Sequence, residues 1–272
     1  MDNDFGTRLK ELRKARGLSQ KEFAEKLRIS FQSVSKWENG LGVPSISIIP
    51  AIAGILKVSC DHLIGYDNKE IQSKYFDLYN KSEFFWPDTP NALSYKLLQM
   101  LPPKDYGRVL ELGCGEGRDA LFFGANHYDV TAIDKVSTGI EKASALANND
   151  RIQAEFICAD LRSFTSGVMY DLIYGYRVLH YLQPAERQSQ IEKYKSMTRK
   201  GGVHAFTVCV EKSFIPNAPD HESETFLYKS GELFGYYSDW ELLYVNEEIV
   251  DCNSSNIPHK HVIDTVIAKK RT

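Results

Sequence analysis

The sequence predicts two folded units in series, an all-α head followed by a larger, doubly wound α/β sheet. Three observations lead there. Residues 5–65 place their apolar side chains at helical spacing, in short runs broken by Gly and Ser. From residue 107 onward, short apolar runs alternate with amphipathic ones, the pattern of a mainly parallel sheet covered on both faces. Between the two, residues 66–92 begin polar and turn aromatic.

The bulk composition suits this division. With 272 residues, 43% apolar and 25% charged, the chain is long enough to bury a sizeable core. It contains no run of eighteen apolar residues, so no membrane association is expected. The first residues, "MDNDFGTRLKELRKARG", lack the apolar stretch of a secretory signal. Five scattered cysteines, none in a C-x-x-C pair, indicate neither a disulfide framework nor a zinc centre. No metal is therefore expected, and a reducing, cytoplasmic setting is. The net charge of −3 hides an asymmetry. Residues 1–68 carry ten Lys and Arg against eight Asp and Glu, whereas the remainder carries 23 against 28. The sign suits a nucleic-acid-facing head on an acidic body.

Within the head, Phe5, Leu9 and Leu12 mark a first helix that Gly17 stops. Ser19 and Glu22 form a capping box for "SQKEFAEKL". Ser30 opens "SFQSVSKWENG", and Ser45 is expected to open a fourth helix whose first turn Pro50 limits. "SCDHLIG" makes a short fifth. Two helices joined by a tight turn near Arg28 and Ile29 form a helix-turn-helix. Through "LSQKEFAEKL", "VSKWENG", "PSI" and "VSCDHLIG", residues 5–65 resemble the Cro/repressor-like (XRE) DNA-binding family. That resemblance implies a third helix lying in the major groove. It makes Gln32 and Ser33 the base-reading candidates, flanked by Phe31, Ser35 and Lys36, with Gln20 near phosphate. A single head of this size binds weakly, so a homodimer on paired operator half-sites is expected. A helical bundle that has lost DNA binding is the competing reading.

The expected domains are 1–66 and 67–272, with residues 66–70 as linker and 67–105 as a helical or lid segment. Tyr75, Phe76, Tyr79, Phe84, Phe85 and Trp86 suggest packing on the second domain, and "FFWPDTPN" is a lid candidate. Seven strands follow: "RVLELG", "DVTAID", "AEFICAD", "YDLIYGY", "VHAFTV", "DWELLYVNEEIV" and "HVIDTVIAKK". No helix separates the last two, which predicts an antiparallel edge. The loop after the first strand is Gly113-Cys-Gly115-Glu-Gly117, a G-x-G-x-G spacing that is weak evidence alone. Three acids strengthen it. Glu111, Asp134 and Asp160 end the first three strands, where a doubly wound sheet has its ligand crevice.

With "YDLIYGYRVLHYL" and "RKGG", this ordered set resembles the class I S-adenosylmethionine-dependent methyltransferases, which have a Rossmann-like sheet. The resemblance implies S-adenosylmethionine as cofactor. Gly113, Gly115 and Gly117 would pack against its amino-acid portion, Asp134 would hold the ribose, and Asp160 would reach the adenine amine. Lys135 and Leu161 would line the adenine, and Glu111 would order the loop or hold the amino group indirectly. Tyr174, Gly175 and Tyr176 would face the methyl sulfonium. A cationic cofactor suits an acidic crevice, and Arg118 and Lys135 are the only bases near in sequence, which argues against a dinucleotide enzyme.

"FFWP", "GRVLELGCGEGRDALFFGANHYDVTAID", "GELFGYYSDWELLYVNE" and "HKHVIDTVIAKK" are most similar to the tellurite-resistance (TehB-like) group. That group implies a histidine or arginine near the last strand in the substrate pocket, a place His259 and His261 match loosely. Strand alternation puts both on one face. Arg177 could offer a fork to an oxyanion, and His180 could act as base, line the pocket or merely pack. The functions in play are a methyltransferase for a small molecule or oxyanion with a DNA-binding regulatory head, a transcription factor whose second domain only senses the cofactor or an effector, and a nucleic-acid methyltransferase. No Asn/Asp-Pro-Pro-Tyr/Phe follows the fourth strand, which disfavours the last.

Overall fold

The computed structural model describes residues 5–58, 60–65, 75–216, 218, 225–253 and 257–271. The expected linker, 66–70, and the junction between the two expected domains lie outside the described residues.

The head consists of α1 (Phe5–Ala15), α2 (Gln20–Leu27), α3 (Phe31–Glu38), α4 (Ile49–Leu56) and α5 (Cys60–Ile64). The capping box forms as predicted: Ser19 Oγ accepts from Glu22 N, and Glu22 accepts from Ser19 N. Arg28 turns the chain in the left-handed region (φ 56°) and Ser30 caps α3. One boundary differs from expectation. Ser45 precedes only a 3-10 turn, Ile46–Ile48, and α4 begins at Ile49 with Pro50 in its first turn, where the missing N–H costs nothing. Leu9, Phe23, Val34, Ile52, Leu56 and Leu63 make a small core. Beside it the Arg13 guanidinium grips Glu38 at 2.5 and 2.9 Å in a buried pair. Burial would push the Glu38 carboxyl up, but Arg13 and Gln20 hold it below the usual range.

After α6 (Tyr75–Tyr79) and α7 (Ala92–Met100) the strands and helices alternate: β1 (Arg108–Leu112), α8 (Arg118–Ala125), β2 (Asp129–Asp134), α9 (Ser137–Asp150), β3 (Ala154–Cys158), β4 (Tyr170–Tyr176), α10 (Pro184–Ser196) and β5 (Thr198–Val210). Short α11 (Glu232–Gly235), β6 (Glu241–Cys252) and β7 (His259–Lys269) complete the chain. The seven strands lie in the order β3-β2-β1-β4-β5-β7-β6. The first five are parallel, and β7 inserts antiparallel between β5 and β6, giving the predicted edge. β4 is buried at six of its seven positions, as a central parallel strand must be when helices cover both faces. Side chains of α7, α8 and α9 pack one face and those of α10 and α11 the other. This is the Rossmann-like fold of class I methyltransferases. The chain order reverses between β1 and β4, so the loops after those strands open a crevice. Among the described residues no helix is long and apolar enough to cross a membrane.

Candidate active site and DNA-facing helix

A cleft of about 730 Å³ opens at the carboxyl ends of β1 to β5, within the size range of small-ligand sites. Its floor is the glycine loop. Gly113, Gly115 and Gly117 all have positive φ. A Cβ on Gly113 would come within 2.3 Å of Val178, and one on Gly117 within 2.6 Å of Ala143. Two of the three glycines are therefore demanded by packing inside the protein, and only Gly115 and Gly113 line the cleft. Asp134 fixes the loop from below. Its carboxylate accepts from Gly115 N and from Val136 N, both at 2.8 Å. Burial still raises its carboxyl above the ordinary value.

Glu111 also faces the cleft. It is buried, and its Oε2 has no hydrogen-bond partner among the described residues. Burial, then the nearby Asp119 charge, hold its carboxyl well above the usual carboxylate range. Such a group favours a cationic or donor ligand. Asp160 lines the cleft beyond β3, but with an unforeseen partner: Arg162 donates to it from its backbone at 2.7 Å and from its guanidinium at 3.1 Å. Lys135 and Leu161 line the same end, with Lys135 Nζ 5.6 Å from the Tyr181 ring centre.

The far end, after β4 and β5, is different. Arg177 adopts a left-handed backbone (φ 53°), an uncommon and strained state for a residue with a side chain. Hydrogen bonds from Arg177 N to the carbonyl and hydroxyl of Thr207 hold it there. Its side chain lines the cleft beside Cys209 and Cys252. Tyr176, buried His180 in the 3-10 turn Leu179–Tyr181, Lys212, Lys260 and His261 lie around it. The cleft is thus acidic near the glycine loop, whereas its other end is mixed: Arg177 stands there beside ion-paired lysines, Lys212 with Glu247 at 2.6 Å and Lys260 with Asp251 at 2.5 Å.

Three predicted positions differ, and one of them, Gly175, packs against Phe206 and Val178 instead of lining the cleft. Tyr174 does not face the cleft. It is wholly buried, its hydroxyl 3.2 Å from both Asp119 and Ser94, because β4 turns it into the layer packed by α7, α8 and α9. Burial pushes its hydroxyl well up. His259 lies outside the main cleft, in an adjoining recess, while His261 reaches the cleft wall. Their Nε2 atoms are 3.0 Å apart. The cysteine spacing predicts no metal centre, but the β6–β7 hairpin brings ligating atoms of Cys252, His259 and His261 within 4.8 Å of one another.

An aromatic strap covers the cleft. Tyr75, Tyr79, Phe85 and Trp86 interlock, with Tyr75 stacked on Tyr79 at 5.3 Å and Trp86 Nε1 donating to Tyr79 Oη at 2.9 Å. Two acids, Glu116 in the glycine loop and Asp119 in the first turn of α8, tie down this strap and the start of α7. Glu116 accepts from the backbone of Phe85 and Trp86 and pairs with Lys142 at 2.7 Å. Asp119 accepts from Asn91 N and Ser94 Oγ, both at 2.8 Å. The sequence signal for them is their place at the glycine loop, Glu116 between the second and third glycines and Asp119 two residues beyond the third.

On α3, Phe31, Gln32 and Lys36 are exposed. Ser33 is half-buried, and its hydroxyl lies 2.9 Å from Ser30 Oγ on the helix cap, which leaves it further hydrogen-bonding capacity. Ser35 is half-buried and contacts Asn39, and Gln20 Nε2 donates to Glu38 at 2.8 Å.

Comparison with known proteins agrees with this geometry. The family described as tellurite resistance protein TehB matches residues 96–260, and a helix-turn-helix family matches residues 9–63. Over 168 residues the chain is 30% identical to hemagglutinin 1 of Eikenella corrodens, covering 60% of this chain and 54% of that protein. It is 27% identical over 169 residues to a Haemophilus influenzae protein described as a probable S-adenosyl-L-methionine-dependent methyltransferase TehB, covering 60% and 57%. The chain thus spans about half the length of these relatives. The head is 34% identical over 61 residues to the HTH-type transcriptional activator BcrR of Enterococcus faecalis, covering 22% and 30%. The crystal structure of Haemophilus influenzae TehB superposes with a TM-score of 0.60 at 24% identity, over 72% of this chain and 66% of that one, and shares the fold.

Proposed function

The chain belongs to the TehB family, and from that premise we propose that it transfers a methyl group from S-adenosylmethionine to a small molecule or oxyanion, under a head that binds DNA as a transcriptional regulator. One observation supports the cofactor most directly: a buried carboxylate, Glu111, with an unpartnered oxygen facing a cleft whose next acid, Asp134, holds the glycine loop. That donor set fits a cationic nucleoside carrying an ammonium and ribose hydroxyls. In this assignment Glu111 meets the ammonium. Asp134 receives the ribose hydroxyls on the lone pairs its two amide donors leave over. Asp160, with Lys135 and Leu161, bounds the adenine.

When bound, the cofactor supplies an already activated methyl, so the protein's contribution is alignment of the acceptor and exclusion of water. Arg177 presents a planar fork to an anionic acceptor, held ready by its fixed backbone. Tyr176 and His180 bound the same space, and His180 is within it to accept a proton from an acceptor that carries one. The strap of Tyr75, Tyr79, Phe85 and Trp86 shields the reacting centre. We further assign residues 1–66 to the DNA-binding unit and 67–272 to the transferase, with 67–105 including the strap. Phe31, Gln32 and Lys36 are the side chains of α3 offered to the major groove.

Methyl-labelled cofactor incubated with the purified chain and selenite, tellurite or small thiols tests the proposal. Labelled, methylated product supports transfer. Stoichiometric cofactor binding with no product across the panel would assign the second domain to sensing.

A further inference from the structure

We propose that Cys252, His259 and His261 form a binding site for a zinc-type divalent metal ion at the end of the cleft beyond β4 and β5. Three observations converge. Cys252 ends β6 and is paired directly with His259, the first residue of β7, and His261 follows two residues on, so one face of the hairpin carries all three side chains. Their ligating atoms lie within 4.8 Å of one another, and the two imidazole Nε2 atoms are 3.0 Å apart. A tetrahedral zinc ion with ordinary bond lengths holds its nitrogen ligands roughly 3.3 Å apart and a sulfur roughly 3.5 Å from each, so small side-chain shifts complete the site.

The orientation of His259 gives a third, independent indication. Its Nδ1 lies 2.7 Å from the Ile257 carbonyl, the acceptor that fixes the tautomer with the Nε2 lone pair facing His261. An imidazole N–H tied to a backbone carbonyl is the usual outer-shell support of a metal-binding histidine. One thiolate and two imidazoles form a mixed donor set that suits zinc or cobalt over magnesium or calcium. Three protein ligands leave a fourth position. Cys252 and His261 line the main cleft, and Arg177 lies beside Cys252, so the fourth position opens toward the space assigned to the acceptor. An anionic acceptor, thiolate or oxyanion, bound there would meet the ion and the Arg177 guanidinium together. This last step rests on the methyl-transfer reading, whereas the metal site itself does not.

The test is a cobalt(II) titration of the full chain after chelator treatment. One equivalent should bind, giving a thiolate-to-cobalt charge-transfer band that zinc(II) abolishes by displacement. Cys252→Ser should lose the band. His259→Ala and His261→Ala should each weaken binding by more than about tenfold, and His127→Ala, at an exposed position elsewhere, should leave it unchanged. Thermal melts and cofactor titration of each metal-free variant establish that the fold is intact. No saturable cobalt binding, or affinity in all three site variants equal to that of the parent chain, overturns the site. Adding selenite or a small thiol to the cobalt-loaded chain should change its visible bands. An unchanged spectrum removes the acceptor from the ion, and cofactor binding in the metal-free chain tells that failure from failure of the methyltransferase reading.

Discussion

Replacing Glu111 with Gln separates stability from cofactor affinity. The native side chain is 3% exposed, with one oxygen unpartnered, and burial together with Asp119 disfavours its charge. A buried polar group without a partner costs about 1–3 kcal/mol, and more when charged. Glu111→Gln keeps the shape and cannot ionise, so at pH values above the raised titration of the folded carboxyl the ligand-free chain should become more stable, by about 2–4 °C in Tm for each kcal/mol regained. The pH dependence should change with it. The unfolded chain releases this proton near pH ~4.3, whereas the folded chain keeps it to higher pH. The folded state therefore binds the extra proton within that window, and stability falls as pH rises through it. The Gln variant should lack that component of the slope. Affinity should move the other way: a charge-assisted hydrogen bond is worth about 1.5–3 kcal/mol, so S-adenosylmethionine should bind roughly 10- to 100-fold more weakly. Melting curves of the free protein from pH 4 to 8, with calorimetric titration, read both effects. A variant that is less stable and binds the cofactor as tightly as the parent would refute the reasoning.

Glu116→Gln removes the charge that holds the strap and pairs with Lys142, and should increase quenching of Trp86 by a soluble quencher with little change in Tm. Comparison with a Trp86→Phe control isolates that signal. His204 is buried, bonded to Thr198 and Tyr237, and burial pushes its pKa down to about 3. The unfolded histidine takes a proton below about pH 6.5, so this group should remove stability as pH falls from 6.5 toward 3, by up to about 4–5 kcal/mol. His204→Phe should flatten that acid limb in denaturant titrations followed by circular dichroism. Gln32→Ala should cost about 1–3 kcal/mol at one base position of the operator, and unchanged affinity for every operator variant would remove Gln32 from the groove.

The parts of this molecule that the sequence reveals are those fixed by neighbours along the chain. Ser19 and Glu22 cap their helix because the interaction spans one turn. The glycine loop, Asp134 and Asp160 reach one crevice because each follows a parallel strand, and parallel strands end together. What distance in sequence conceals is pairing across elements. Glu116 holds a strap about thirty residues upstream, Asp119 holds Asn91 and Ser94 at the start of α7, and Cys252 meets His259 only because a hairpin joins them. Tyr174 shows a different limit: alternation tells which residues share a face, not which of the two helix layers that face meets. At Ser45 the local signal was ambiguous. A serine cap and a following proline fit a 3-10 entry as well as a helix start.

The most direct test of the central claim is titration calorimetry of the full chain with S-adenosylmethionine and with its demethylated product, beside the Asp134→Ala variant. The account predicts one molecule bound per chain for both ligands, and no measurable heat from the variant despite an unchanged far-UV spectrum. Absence of binding by the parent chain, or equal binding by the variant, would contradict it.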